Sequence, residues 1–315
     1  MPAVSKKFFP FSFIPLKTRG IGCIRSAAFF FSLMALFVRM SGDLPVMQKA
    51  LIRNVITAFV AFWIMVRQGE HTRFKSSVSG DWLGLSMRTV FGTLGLICNF
   101  WAVDHMPLAD ANMLNKMAPF FAILMSIFIV HEHPKKIDLL CVAGAFFGSV
   151  FVLKPTAGIA SYPAVVALAG GFFAGAAYAY IRQMGMHGVP GSVIIFFFSF
   201  FSSLLCLPFV VLDYAPMTGT QWCFLLLTGL TAAAAQISVT AAYAYAPAKE
   251  ISVFDYSQVL FAALFGIFFF SEIPDFWSLV GYAAIIGMAI LRWRMNLRLA
   301  EKETIPPDVS SAETP

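Results

Sequence analysis

Four ionisable residues interrupt otherwise apolar runs: Arg53, Arg88, Lys116 and Asp255. A charge at the centre of a membrane-spanning helix costs roughly 2.5–3.5 kcal/mol on insertion scales, so each is a candidate for ligand binding or charge movement. Asn112, Asn115 and Lys116 stand at i, i+3 and i+4, on one helical face. Ser252, Asp255 and Tyr256 repeat that spacing near the other end of the chain. An offset of 140 residues (255 − 115) lays Asn115 on Asp255 and Lys116 on Tyr256. Helices carrying these faces, if they meet near the middle of a membrane, bring Lys116 and Asp255 within ion-pair distance. Such a pair either opens and reprotonates during a transport cycle or stays closed as a neutralising salt bridge.

Arg88, Gly92, Gly95 and Asn99 make a polar and small stripe at spacings of four, three and four, and Gln236, Thr240 and Tyr243 make a second one. The glycines suit close helix contact, and the polar members suit a cavity wall. Arg53, beside Asn54 and Thr57, either binds an anionic group or snorkels to a lipid headgroup. Three cations against one carboxylate would leave a low-dielectric cavity positive, which favours an anionic or zwitterionic small-molecule substrate. Tyr178, Tyr243, Tyr256 and Trp101 could stack on its organic body or simply pack.

Other residues read as structural. Glu132 and Glu272 each precede an Ile- or His-Pro step and the next helix, whose positive end a carboxylate favours. His105, His131, His133 and His187 fall at helix ends or in loops and call for no metal. The five cysteines stand singly and call for no redox chemistry or cofactor. Gly144-x-x-x-Gly148 and Gly171-x-x-x-Gly175 are helix-contact motifs, usable within the chain or in a homodimer. No phosphate loop, nucleophile elbow or HExxH is present, so ATP-driven transport and membrane proteolysis have no motif behind them.

The elements that must hold these residues follow from composition. With 59% hydrophobic and 12% charged residues and a mean hydropathy of +0.78, the chain has too little polar surface for a soluble globule. Long, non-alternating apolar runs favour helices over barrel strands. Ten spans are expected: 21–40, 48–66, 82–103, 109–130, 137–152, 162–184, 192–212, 222–245, 252–270 and 276–292. They predict an all-α integral membrane protein of ten transmembrane helices in the lipid bilayer. The net charge of +6 gathers in alternate loops and tails, a topology signal and not a nucleic-acid footprint. It predicts cytoplasmic N- and C-termini, with tails at 1–20 and 294–315, the latter disordered.

The stretch 106–135 returns as 246–275 at the same offset of 140, pairing Pro107 with Pro247, Phe121 with Phe261, Glu132 with Glu272 and Pro134 with Pro274. Two sets of five helices, 21–155 and 160–293, must enter the membrane in opposite senses because five is odd. That is an inverted repeat, an architecture of many secondary transporters.

The pattern of Pro107 to Glu132 followed by Gly144 and Gly148, and of Pro247 to Glu272 followed by Gly281 and Gly287, resembles the drug/metabolite transporter superfamily of EamA type. Leu44-Pro45 followed by Arg53 is similar to that family's second helix. The resemblance implies a carrier with a cavity between its halves in a prokaryotic plasma membrane. Its substrates range over amino acids, nucleotide-like metabolites, vitamins and toxic compounds. Proton coupling through Asp255 is one expectation, and solute exchange is the alternative. Rival readings are an exporter of cationic or apolar toxic compounds, a passive channel or scramblase, and an intramembrane enzyme, which would need more clustered carboxylate, His or Cys than these spans offer.

Overall fold

In the computed structural model the apolar runs are helices, and no strand is present among the described residues. The structure describes residues 16–129, 131, 136–153, 161–245 and 252–304. Side chains at 16, 17, 240, 243–245, 252, 253, 296, 297 and 299–304 lie outside that description, as does the whole of 132–135. The expectations placed on Tyr243, Glu132 and the tail beyond 304 therefore lie outside the described residues.

The order is α1 (Leu16–Met40), α2 (Val46–Arg67), a 3-10 turn (Glu70–Arg73), α3 (Phe74–Gly80), α4 (Trp82–His105), α5 (Leu108–Asn115), α6 (Ala118–Ile129), α7 (Lys136–Leu153), α8 (Tyr162–Met186), α9 (Gly191–Leu212) and α10 (Gly219–Tyr245). A second 3-10 turn (Ser252–Tyr256), α11 (Ser257–Phe270) and α12 (Phe276–Thr304) complete it. Among the described residues, eight helical stretches are long and apolar enough to cross a membrane, and Phe254–Phe270 is a shorter apolar one. The chain is a multi-pass membrane protein. Its outer faces carry side chains such as Phe59, Leu204, Leu260 and Phe268, whose exposure suits lipid and not water.

Helix α12 runs to Thr304, so residues 294–304 are not the disordered tail expected from their polarity. The segment from Arg294 to Lys302 is rich in Arg, Leu, Met, Ala, Glu and Lys, strong helix formers that extend a helix beyond its apolar part.

Helices early in the chain pack on helices late in it: α1 on α10, α2 on α9, α4 on α8, α7 on α12, and α5 on α11. Contacts at the two ends are distinct. At one end Gln48 Nε2 donates to the Ala215 carbonyl (2.9 Å) and Gln221 Nε2 to that of Ser41 (3.2 Å). At the other, His187 pairs with Asp81 and Ser192 donates to Glu70.

Both glycine motifs are spent inside the chain. A Cβ on Gly175 of α8 would lie 2.6 Å from Phe121 Cβ and 2.7 Å from the Ala118 carbonyl; one on Gly148 would lie 2.8 Å from Ala284 Cβ of α12. Gly175→Ala is therefore expected to lower stability by about 1–3 kcal/mol, the cost of overpacking. Gly185→Ala, with open space around its Cβ, is the control. Thermal unfolding of the two variants in one detergent checks the difference, and equal transitions would refute it.

Candidate functional site

The apolar stretch 108–129 is helical at both ends but interrupted in the middle. The amides of Met117 and Phe120 turn back to Leu114 and Met117, three residues away, in place of the four-residue ladder (3.1 and 3.0 Å). The later stretch has its own irregularity, the 3-10 turn that ends at Tyr256 before α11. The two interruptions face each other. Lys116 Nζ lies 2.5 Å from Asp255 Oδ2, and Tyr256 Oη donates to the Lys116 carbonyl (3.2 Å). One helical turn earlier, Gln258 Nε2 donates to Asn112 Oδ1 (2.6 Å), while Asn112 Nδ2 donates to the Leu108 carbonyl (2.8 Å). Asn115 is half-buried, its backbone against Gly171 of α8, where an added Cβ would meet the Asn115 carbonyl at 3.4 Å.

A second group lies between α2, α4 and α9. Arg53 and Arg88 are 3% and 7% exposed, which removes the snorkelling alternative for Arg53. Both guanidinium groups lie over the Phe198 ring, Cζ being 5.9 and 4.1 Å from its centroid. Gly92 makes the room: a Cβ there would lie 1.9 Å from Arg88 Nη1 and 2.8 Å from Phe198. Of the two glycines in that stripe, Gly92 serves the charge, and Gly95 packs on the backbone of Gly170 and Ala174. Arg53 Nη1 donates to Asn54 Oδ1 (2.5 Å), Asn54 Nδ2 to Ser202 Oγ (2.8 Å), and Thr93 Oγ1 to the same oxygen (2.8 Å).

No carboxylate among the described residues forms an ion pair with Arg53 or Arg88. Their Nε atoms, with Asn99 Oδ1 and Ser199 Oγ, are buried and lack hydrogen-bond partners. Buried polar atoms are rarely left so, and those that are mark strain or a place where ligand or solvent binds. Tyr178 on α8 lies within electrostatic range of Arg53, Arg88 and Asp255. Tyr178 is 48% exposed.

Gln236 is half-buried on α10. Trp101 stands apart, stacked on His105 at 3.9 Å near the end of α4. Sequence reasoning missed Phe198, Ser199, Ser202 and Gln258. Ser199, Ser202 and Ser203, at i, i+3 and i+4 within an almost wholly apolar helix, were the available signal.

The charge count also needs correction, because Asp255 is not the only carboxylate buried in the bundle. Asp110 accepts from Tyr282 Oη (2.5 Å), Asp138 pairs with Arg292 (2.8 Å), and Lys49, wholly buried, pairs with Asp104 (2.6 Å). These three acids stand near the ends of their helices, where the sequence offers no depth marker. Glu272 differs from expectation too. It accepts from the Leu108 amide (2.9 Å) at the start of α5 and pairs with Arg39, whereas Asp275 Oδ1 caps α12 through the Ser278 amide (2.8 Å). A carboxylate does sit at a positive helix end, but that of a helix distant in sequence.

These groups form a polar interior in a lipid-facing bundle, an arrangement suited to holding a charged solute away from lipid. Comparisons with known proteins agree. The chain is 32% identical to the pseudopaline exporter of Pseudomonas aeruginosa over 269 residues, covering 84% of this chain and 92% of that protein. It is 25% identical to solute carrier family 35 member G1 of Homo sapiens (85% and 78% covered) and 22% identical to a riboflavin transporter of Vibrio cholerae (80% and 84%). A crystal structure superposes with a TM-score of 0.61 at 17% identity, over 90% of this chain and 99% of that one, a likeness of fold. The profile of the EamA-like transporter family matches twice, over residues 18–154 and 161–293. With both matches together covering most of its length, the chain belongs to the EamA-like transporter family of membrane transporters.

Proposed function

We propose that the protein is a secondary carrier, not an enzyme, that moves an anionic or zwitterionic organic metabolite across a prokaryotic plasma membrane by alternating access. The observation that carries this reading is the pair of buried arginines around Phe198, unmatched by any described carboxylate. A negative group on the solute would complete the charge balance that the bundle itself leaves open. Outward transport is favoured because a relative covering most of this chain is named as an exporter.

Ten helices in two inverted sets of five, with both termini cytoplasmic, form the framework of the proposal. Its support is the pairing of early with late helices. Exchanging two such halves by a two-fold axis turns the contact of the first and eighth spans into that of the third and sixth, while the 2–7, 4–9 and 5–10 contacts map onto themselves. Those are the pairings of α1 with α10, α4 with α8, α2 with α9, the broken fourth with the ninth, and α7 with α12. A midplane site between inverted halves is the common arrangement in such carriers. The Lys116–Asp255 pair, placed at that site, would carry any coupling to protons.

The test is counterflow in proteoliposomes against a panel of carboxylates, amino acids and nucleotide-like metabolites. Saturable exchange of a solute bearing a carboxylate or phosphate is expected. Flux that fails to saturate would replace the carrier with a channel, and transport confined to cations or apolar compounds would overturn the charge argument.

A further inference from the structure

A cleft of about 410 Å³ opens between α1, α11 and α12, on the outer side of the turn that holds Tyr256. Its floor is apolar, from Phe254, Leu260, Ile286 and Ile290, and two arginines, Arg25 and Arg294, stand on its rim. Arg25 lies nine residues into α1 and Arg294 ten residues before the end of α12, so both lie towards the end of the bundle that carries the chain's first and last described helical turns. Arg25 is exposed and held with Cζ 5.1 Å above the Phe254 ring. No carboxylate among the described residues pairs with either arginine. Below the rim, Leu260, Leu264 and Phe268 are 63%, 48% and 77% exposed. Their four-residue spacing makes an apolar track about 12 Å long down the outer face of α11.

We propose that this cleft is a binding site for an anionic phospholipid, with its phosphate between Arg25 and Arg294 and an acyl chain along Leu260, Leu264 and Phe268. Charge, depth and shape agree on that occupant. Two cations at a helix-end boundary match a lipid phosphate, Trp293 beside them is the residue type that prefers the headgroup level, and only a chain-bearing ligand uses the apolar track as well. The site also touches the transport machinery, because Tyr256 lines the cleft and its hydroxyl reaches the Lys116 carbonyl. Lipid occupancy would thus bear on the turn that holds Asp255.

Trp293 supplies the readout. The full chain is reconstituted in phosphatidylcholine containing a small fraction of acyl-brominated lipid, either phosphatidylglycerol or phosphatidylcholine, and the quenching lost in Trp293→Phe is assigned to this site. An anionic preference of about twenty-five-fold is expected, since each of the two arginines near a lipid phosphate contributes about a factor of five. The preference falls to near one in the Arg25→Gln/Arg294→Gln double variant, while quenching by brominated phosphatidylcholine is retained and reports an intact cleft. Equal quenching by the two lipids in the unaltered chain, or a preference that survives in the double variant, overturns the proposal. Loss of the preference on addition of millimolar inorganic phosphate overturns it as well, because the ligand would then be the free anion.

Discussion

Arg88→Gln is expected to raise the melting temperature of the ligand-free protein while abolishing its stabilisation by substrate. Arg53 and Arg88 repel each other in a buried setting, share one aromatic ring and have no described carboxylate. Removing one charge relieves that repulsion and one desolvation cost. The same change removes a partner for the solute's negative group. Truncating one member of a buried charge pair costs about 2–5 kcal/mol, a loss of affinity from roughly thirtyfold to several thousandfold. Arg88→Lys should restore little of it, since an ammonium lacks the planar face that stacks on Phe198 and the fork that grips a carboxylate. Melting curves with and without each counterflow substrate check both halves. A variant that is less stable when empty and still stabilised by substrate would show that the arginines serve the fold alone. The opposition of stability and binding is the usual mark of a functional site.

Lys116→Met should destabilise the protein strongly, by about 3–5 kcal/mol, because it leaves Asp255 enclosed without its partner. The side chains of the pair are only 10% and 21% exposed. Lys116→Met with Asp255→Leu should recover most of that loss, as apolar pairs of similar volume commonly replace buried ion pairs at little cost. Transport separates the two roles. A double variant that is stable and inactive assigns the pair to the transport cycle; one that is stable and active leaves it a neutralising bridge. A double variant as unstable as the single one would contradict the pairing itself, since nothing would then link the two residues energetically.

How much of this was legible depends on the kind of signal. Lys116 and Asp255 could be paired from sequence because a gapless repeat puts their faces on corresponding helices, and charges in apolar runs are conspicuous. Phe198 could not be found in that way. Its helix is apolar almost throughout, and its role follows from being the surface on which two distant arginines rest, which no local periodicity encodes. Glu272 was recognisable as the partner of a positive helix end, but the nearest such end in sequence belongs to α12 and the actual one to α5. Proximity in the chain misled because the bundle brings together segments more than 160 residues apart, as in the contact of Leu108 with Glu272. The limits of α12 failed for a different reason: polarity was read as disorder where helix propensity decided.

The interruption at Lys116 and Met117 has an electrical consequence. Irregular backbone at such depth persists only where protein or water satisfies it, and Lys116 stands about 13 Å along a stretch of some 33 Å. In a carrier state where solvent reaches that far from one end, the membrane voltage falls across the remaining thickness, so a short displacement of a charge there crosses most of the potential. Each elementary charge is worth about 2.3 kcal/mol per 100 mV. For an anionic solute leaving a cell whose interior is negative, that work favours exit. A carrier of the proposed kind would draw part of its driving force from voltage before any coupled ion is counted.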